Sequence, residues 1–65
     1  MVIKVIEIMA SSEKSWEDAA QNAVNEASKS IRGIKSVYMN EMSATVVDGK
    51  MANFRANCKI SFEVK

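Results

Sequence analysis

The sequence contains no histidine, and its 65 residues include a single cysteine. These two shortages exclude an internal disulfide, a Cys/His zinc centre within one chain, and any Ser-His-Asp or Cys-His catalytic machinery. Only two glycines are present, too few for a glycine-rich phosphate loop. No block of one charge exists: lysines and arginines are interspersed with acids, and the net charge is +1, which argues against a nucleic-acid surface. No apolar run approaches the length of a membrane span. The opening segment carries Lys4 and Glu7 within a strand-like pattern, so it does not read as a signal peptide. The expectation is a cytoplasmic protein with a free thiol that binds neither nucleic acid nor membrane.

What is present is apolar residues, 48% of the chain. At this length the chain is one domain, residues 1–65. Such a domain buries only about 60% of its unfolded surface, and its core rarely supplies more than roughly 3–5 kcal/mol. With disulfide and zinc centre excluded, association with further copies of itself is the expected source of added stability.

The strongest pattern is the closing stretch, Met51 to Val64. Phe54, Ala56, Cys58, Ile60, Phe62 and Val64 alternate with Asn53, Arg55, Asn57, Lys59, Ser61 and Glu63. Period-two alternation predicts a long strand with one dry and one wet face. Cys58 falls on the dry face, as a small buried apolar residue. Asp48-Gly49 precedes the strand as a hairpin turn, so the strand folds back on the segment before it. That segment, Ile34 to Val47, reads as a strand with Val37 and Met39 on one face. Ser36, Tyr38, Asn40 and Met42 fall on the other, and a bulge or bend is expected near Asn40 to Ser43. Tyr38 and Met42 are expected to be exposed in a lone chain.

At the other end, Val2 to Met9 is β-branched and apolar and predicts a strand. Ser12 is the favoured N-cap of the helix that follows, with Ser15 and Asp18 as the alternative. Trp16, Ala19, Ala20, Ala23, Val24, Ala27 and Ile31 then recur three and four residues apart and trace one stripe of a helix of about five turns. Gly33 fits its C′ position. Trp16 lies on the stripe, so a core or subunit-contact role is preferred to a ligand platform. The order β-α-β-β makes an α+β fold: a three-stranded antiparallel sheet, strand order 1-3-2, wrapped on one helix. The second sheet face is left open to a partner or ligand.

No catalytic set emerges, and an enzyme is not expected. Glu41 and Asp48 can contribute to a hard-cation site with ligands from other subunits, or can be solvated carboxylates. Arg55 is a planar donor fork on the wet face of the central strand, suited to a carboxylate, a phosphate or a heteroaromatic edge. Its alternative is a salt bridge to an acid on a neighbouring strand or subunit.

The whole chain resembles the dodecins, small flavin-binding proteins of this β-α-β-β order that assemble as hollow homododecamers. The carriers are Lys4-Val5-Ile6-Glu7-Ile8, the turn ending in Ser12, Ala19, Ala20, Ala23 and Ala27 of the helix, Ser30-Ile31-Arg32-Gly33-Ile34, Gly49, and Phe54 through Val64. The resemblance implies a self-assembled shell and a small-molecule site at a two-fold axis. There a tryptophan early in the second strand stacks on the flavin ring, and a glutamine early in the third strand binds its polar edge. The matching positions here are Ser36 and Arg55, so both signature residues are changed. Tyr38, on the face of Ser36, is the candidate to replace the lost aromatic. Arg55 can donate to a ring carbonyl but cannot accept from a ring N–H. Glu41 matches a position where some dodecins carry an acidic metal ligand. Three readings follow: flavin (riboflavin or FMN) storage at a weakened site, a shell repurposed for a cation such as calcium or magnesium or for another small anion, or a purely structural assembly.

Overall fold

Alternation and β-branching at the two ends, with an alanine-rich helix between them, produce the expected order. The computed structural model describes residues 1–65: β1 (Val2–Ser12), α1 (Trp16–Ser28), β2 (Ile34–Val47) and β3 (Lys50–Val64). The three strands form one antiparallel sheet in the order β1-β3-β2. β3 is therefore central, pairing with β1 from Phe54 to Val64 and with β2 from Lys50 to Phe62. The β2–β3 hairpin turns at Asp48 and Gly49, both at positive φ, a conformation that glycine and aspartate tolerate better than branched residues.

The helix lies on the dry face of β3. Its small stripe, Ala19, Ala20, Ala23 and Ala27, packs directly on Ala56, Cys58 and Ile60, and these seven residues are the buried core. Alanine allows this close approach. Ile6, Ile8, Ala10, Val24, Ile31, Ile34 and Met39 close the rim.

The helix differs from expectation at both ends. β1 continues to Ser12, which is buried as the last residue of the strand, so it is Ser15 that caps the helix. Ser15 Oγ accepts from the Asp18 amide at 3.0 Å. Ser12 Oγ instead donates to Asp18 Oδ2 at 2.6 Å and accepts from the Lys14 amide. At the far end, the Lys29 and Ser30 amides bond three residues back, to Glu26 and Ala27, which closes the helix after 13 residues. That is between three and four turns, not five. Ile31 packs on the core from beyond the helix, and Gly33 (φ +76°) is the bend into β2, not the C′ residue.

A lone chain is poorly closed. It measures 48 × 19 × 12 Å, with a radius of gyration of 13.2 Å, against about 10.7 Å for a compact domain of this length. Its surface is 4713 Å², where a folded monomer of this mass exposes about 4,100 Å². The excess comes from the long hairpin, which carries exposed Val46, Val47 and Met51, and from the sheet face turned away from the helix.

Candidate functional site

The face of the sheet opposite α1 is a grid of cross-strand rows. Val5, Ser61 and Ser36 form one row; Glu7, Lys59 and Tyr38 the next; then Met9, Asn57 and Glu41; then Ser11, Arg55 and Ser43. Residues paired across an antiparallel sheet share a face, so each row presents three side chains together.

The expected irregularity in β2 determines who belongs to this grid. The register shifts between Met39 and Glu41, leaving Asn40 as the extra residue. A one-residue insertion exchanges faces for everything beyond it. Glu41 therefore joins Ser36 and Tyr38 on the open face. Met42, expected beside Tyr38, instead pairs with Ala56 on the helix side, where it is still exposed. Tyr38 is 64% exposed, as expected of a lone chain.

Arg55 and Glu41 come together in a shallow recess of about 110 Å³, lined also by Met9, Met42, Ser43 and Asn57. The ion pairs within the chain are Lys29 with Glu26 and Lys35 with Glu63, so Arg55 and Glu41 both stand unpaired within it. Asn57 is held: its Nδ2 donates to Glu7 Oε2 at 2.9 Å. A wider depression at the opposite end, lined by Arg32, Gly33, Glu63 and Lys65, contains none of the expected site residues.

Ser36 is elsewhere. It is paired with Ser61, and the two hydroxyls hydrogen-bond to each other. Ser61 lies six residues along β3 from Arg55, a separation of roughly 20 Å. Tyr38 is opposite Lys59, four residues from Arg55 and roughly 13 Å away. Ser36, Tyr38 and Arg55 thus share a face but do not meet within one chain. Of the residues not singled out in advance, Asn57, Met9 and Ser43 line the recess with Arg55, and Glu7, one row further along opposite Lys59, bonds Asn57. For Asn57 the signal was present, since strand alternation puts it on the face of Arg55. Glu7 and Met9 required the β1–β3 register, and Ser43 required the bulge.

Trp16 supports the recess from behind. Its Nε1 donates to the Ser43 carbonyl at 2.9 Å, and its ring meets Phe54 edge to face with centroids 4.9 Å apart. No group of three His, Cys, Asp or Glu side chains converges anywhere in the chain. No helix is long and apolar enough to cross a membrane.

Comparison with known proteins places these features in a family context. Residues 2–65 match the family profile described as Dodecin. The calcium dodecin of Mycobacterium tuberculosis is 33% identical over 64 residues, spanning 98% of this chain and 90% of that protein. A crystal structure of the same calcium dodecin, described as a calcium-chelating immunodominant antigen with a novel calcium-binding site, superposes with a TM-score of 0.84 at 32% identity. It covers 100% of this chain and 93% of that one. An arginine-to-alanine mutant of Thermus thermophilus dodecin superposes with a TM-score of 0.93 at 23% identity, over 98% and 96% of the two chains, a likeness of fold.

Proposed function

The chain belongs to the dodecin family, and from that premise we propose that it is a non-enzymatic, self-assembling protein that encloses a small ligand against the open face of its sheet. The assembly is a hollow homododecamer in the cytoplasm, and the ligand is a flavin, riboflavin or FMN, held for storage or sequestration. The observation that carries this reading is the Arg55 recess, an unpaired guanidinium on the one sheet face that a single chain leaves uncovered. The extended shape and the exposed Val5, Met9 and Tyr38 of that face support association with further copies. Because Ser36 and Arg55 stand roughly 20 Å apart within a chain, a ligand touching both positions takes them from two chains across a symmetry axis.

The site is a weakened one. Stacking of a planar ring on an aromatic side chain contributes about 1–3 kcal/mol, and Ser36, bonded to Ser61, supplies no such face. Tyr38 is the aromatic available on the same side. A second reading, a calcium or magnesium site at Glu41, is favoured by the calcium-binding relative and by the oxygen donors of Glu41, Ser43 and Asn57 around one recess. Arg55 in that recess opposes a bare cation, which is why the flavin reading comes first.

Titration of riboflavin and of FMN with the purified protein, followed by flavin fluorescence, tests the proposal. Quenching at micromolar flavin is the expected result. No quenching, with a melting temperature raised by calcium, selects the cation reading. Neither response leaves an assembly without a ligand. Light scattering after size exclusion tests the shell, and a mass near that of one 7.2 kDa chain overturns it.

A further inference from the structure

Arg55 has five N–H donors and no acceptor. Any ligand with a donor of its own must therefore find its acceptor elsewhere in the recess. Asn57 lies two residues along β3 on the same face, roughly 7 Å away at Cα, a gap that the long Arg55 side chain can span. The Asn57 amide is oriented by one side-chain hydrogen bond. An ionised carboxylate only accepts hydrogen bonds, so the end of Asn57 that meets Glu7 Oε2 at 2.9 Å is the nitrogen. The carbonyl end, Oδ1, is the end not engaged by Glu7 and takes part in no hydrogen bond within the chain, while Asn57 lines the recess with Arg55. Glu7 stands opposite Lys59, the next residue of this face along β3.

We propose that Asn57, oriented by Glu7, is the acceptor half of this site, so that Arg55 and Asn57 together select ligands presenting a carbonyl oxygen beside an N–H. The imide edge of a flavin or of a pyrimidine ring has this pattern. The inference rests on the flavin reading and deepens it: Asn57 is a specificity-determining residue and Glu7 a positioning residue, neither of which strand alternation alone identifies as such. A bond serving only to tie β1 to β3 predicts no preference among ligands.

The test is a fluorescence-quenching titration of the assembled protein with riboflavin and with N3-methylriboflavin, which lacks the imide N–H. Wild type is expected to bind the parent at least about tenfold more tightly, because an acceptor left facing a methyl group loses its partner. In Asn57→Leu, similar in size and without an acceptor, riboflavin affinity falls to about that of the methylated compound. In Glu7→Gln the preference shrinks, since glutamine can donate as well as accept and no longer fixes the amide. Elution volume and circular dichroism check that each variant is assembled and folded, and the comparison of the two flavins on wild type needs no variant. Equal binding of both flavins by wild type, or a preference that survives in Asn57→Leu, overturns this inference alone. Binding of neither flavin by wild type overturns the flavin reading and this inference with it.

Discussion

The indole N–H of Trp16 donates to the Ser43 carbonyl at 2.9 Å, tying the first turn of α1 to the edge strand β2 just beyond its bulge. Ser43 is the cross-strand partner of Arg55, so this bond holds the recess from the helix side. Trp16→Phe keeps a smaller aromatic ring against Phe54 and removes the hydrogen bond, whose loss costs about 1 kcal/mol. Trp16→Ala also removes the ring. A fully buried tryptophan costs about 3–5 kcal/mol on truncation, and this half-buried one should cost about 2–3 kcal/mol. Urea unfolding at one fixed protomer concentration measures both, because stability in an assembly depends on concentration. Equal losses for the two variants would show that the hydrogen bond, not the packing, dominates.

The helix start gives a second test. Ser15 Oγ accepts from the Asp18 amide, so Ser15→Ala should cost about 1 kcal/mol, and Ser15→Asp, another good cap, much less. Ser12→Ala acts differently: it strands the Lys14 amide and the Asp18 carboxylate together, at about 1–3 kcal/mol. Chemical denaturation of the three variants separates a capping role from a bridging one.

These helix ends also mark where the chain was hard to read. The alternation from Phe54 to Val64 and the alanine stripe carry the fold unaided, because both are set by local geometry. The strand order and the dry side of β3 followed from them. The cap was ambiguous because Ser12 and Ser15 are each followed by an acid within a turn, and the choice depends on where β1 stops. β1 stops at Ser12 because β3 is long enough to pair with it there, through Phe54. The site was less legible. Which of Glu41 and Met42 faces Arg55 is decided by a single extra residue, Asn40, and no local propensity fixes its position. The distance between Ser36 and Arg55 depends on register, and register is a property of two strands.

Gly33 bends the chain from α1 into β2 at φ +76°, and its carbonyl accepts from the Glu63 amide at 3.1 Å. A methyl group here would meet the Glu63 carbonyl at 3.5 Å, ordinary contact, so the space is available. The cost of Gly33→Ala is therefore conformational, about 1–2 kcal/mol for a left-handed alanine. Gly33→Asn should recover part of it, since asparagine tolerates that region better. A thermal melt series reports the order Gly, Asn, Ala, and an alanine variant as stable as wild type would contradict the left-handed bend.

Cys58 is fully buried, and that burial pushes its thiol above its ordinary pKa. The folded state then holds the proton at a pH where the unfolded chain has begun to release it. The associated stability is whole below the unfolded thiol's pKa of about 8.5, and it is lost as pH rises from there through the higher folded value. Wild type should lose stability relative to Cys58→Ala on going from about pH 8 to pH 10, on top of a constant difference from the lost packing. Alkylation by iodoacetamide should run on the order of a hundredfold slower in the native state than in urea, because it requires opening of the core.

The strongest functional test restores what the sequence lacks. Ser36 faces outward beside Ser61, with no helix above it, so a large ring can be placed there without disturbing the core. Ser36→Trp should add a stacking face and tighten riboflavin binding by about 1–3 kcal/mol, roughly five- to 150-fold. Arg55→Gln acts on the other end of the ligand by uniting donor and acceptor in one amide. It should relieve the dependence on Asn57, so that Asn57→Leu costs much less affinity in the Arg55→Gln background than in wild type. If the two positions meet across a symmetry axis, their effects must appear in the assembled species and vanish from any monomer separated by size exclusion. A double variant that assembles and still fails to quench riboflavin would exclude this face as a flavin site and leave the recess to the cation reading.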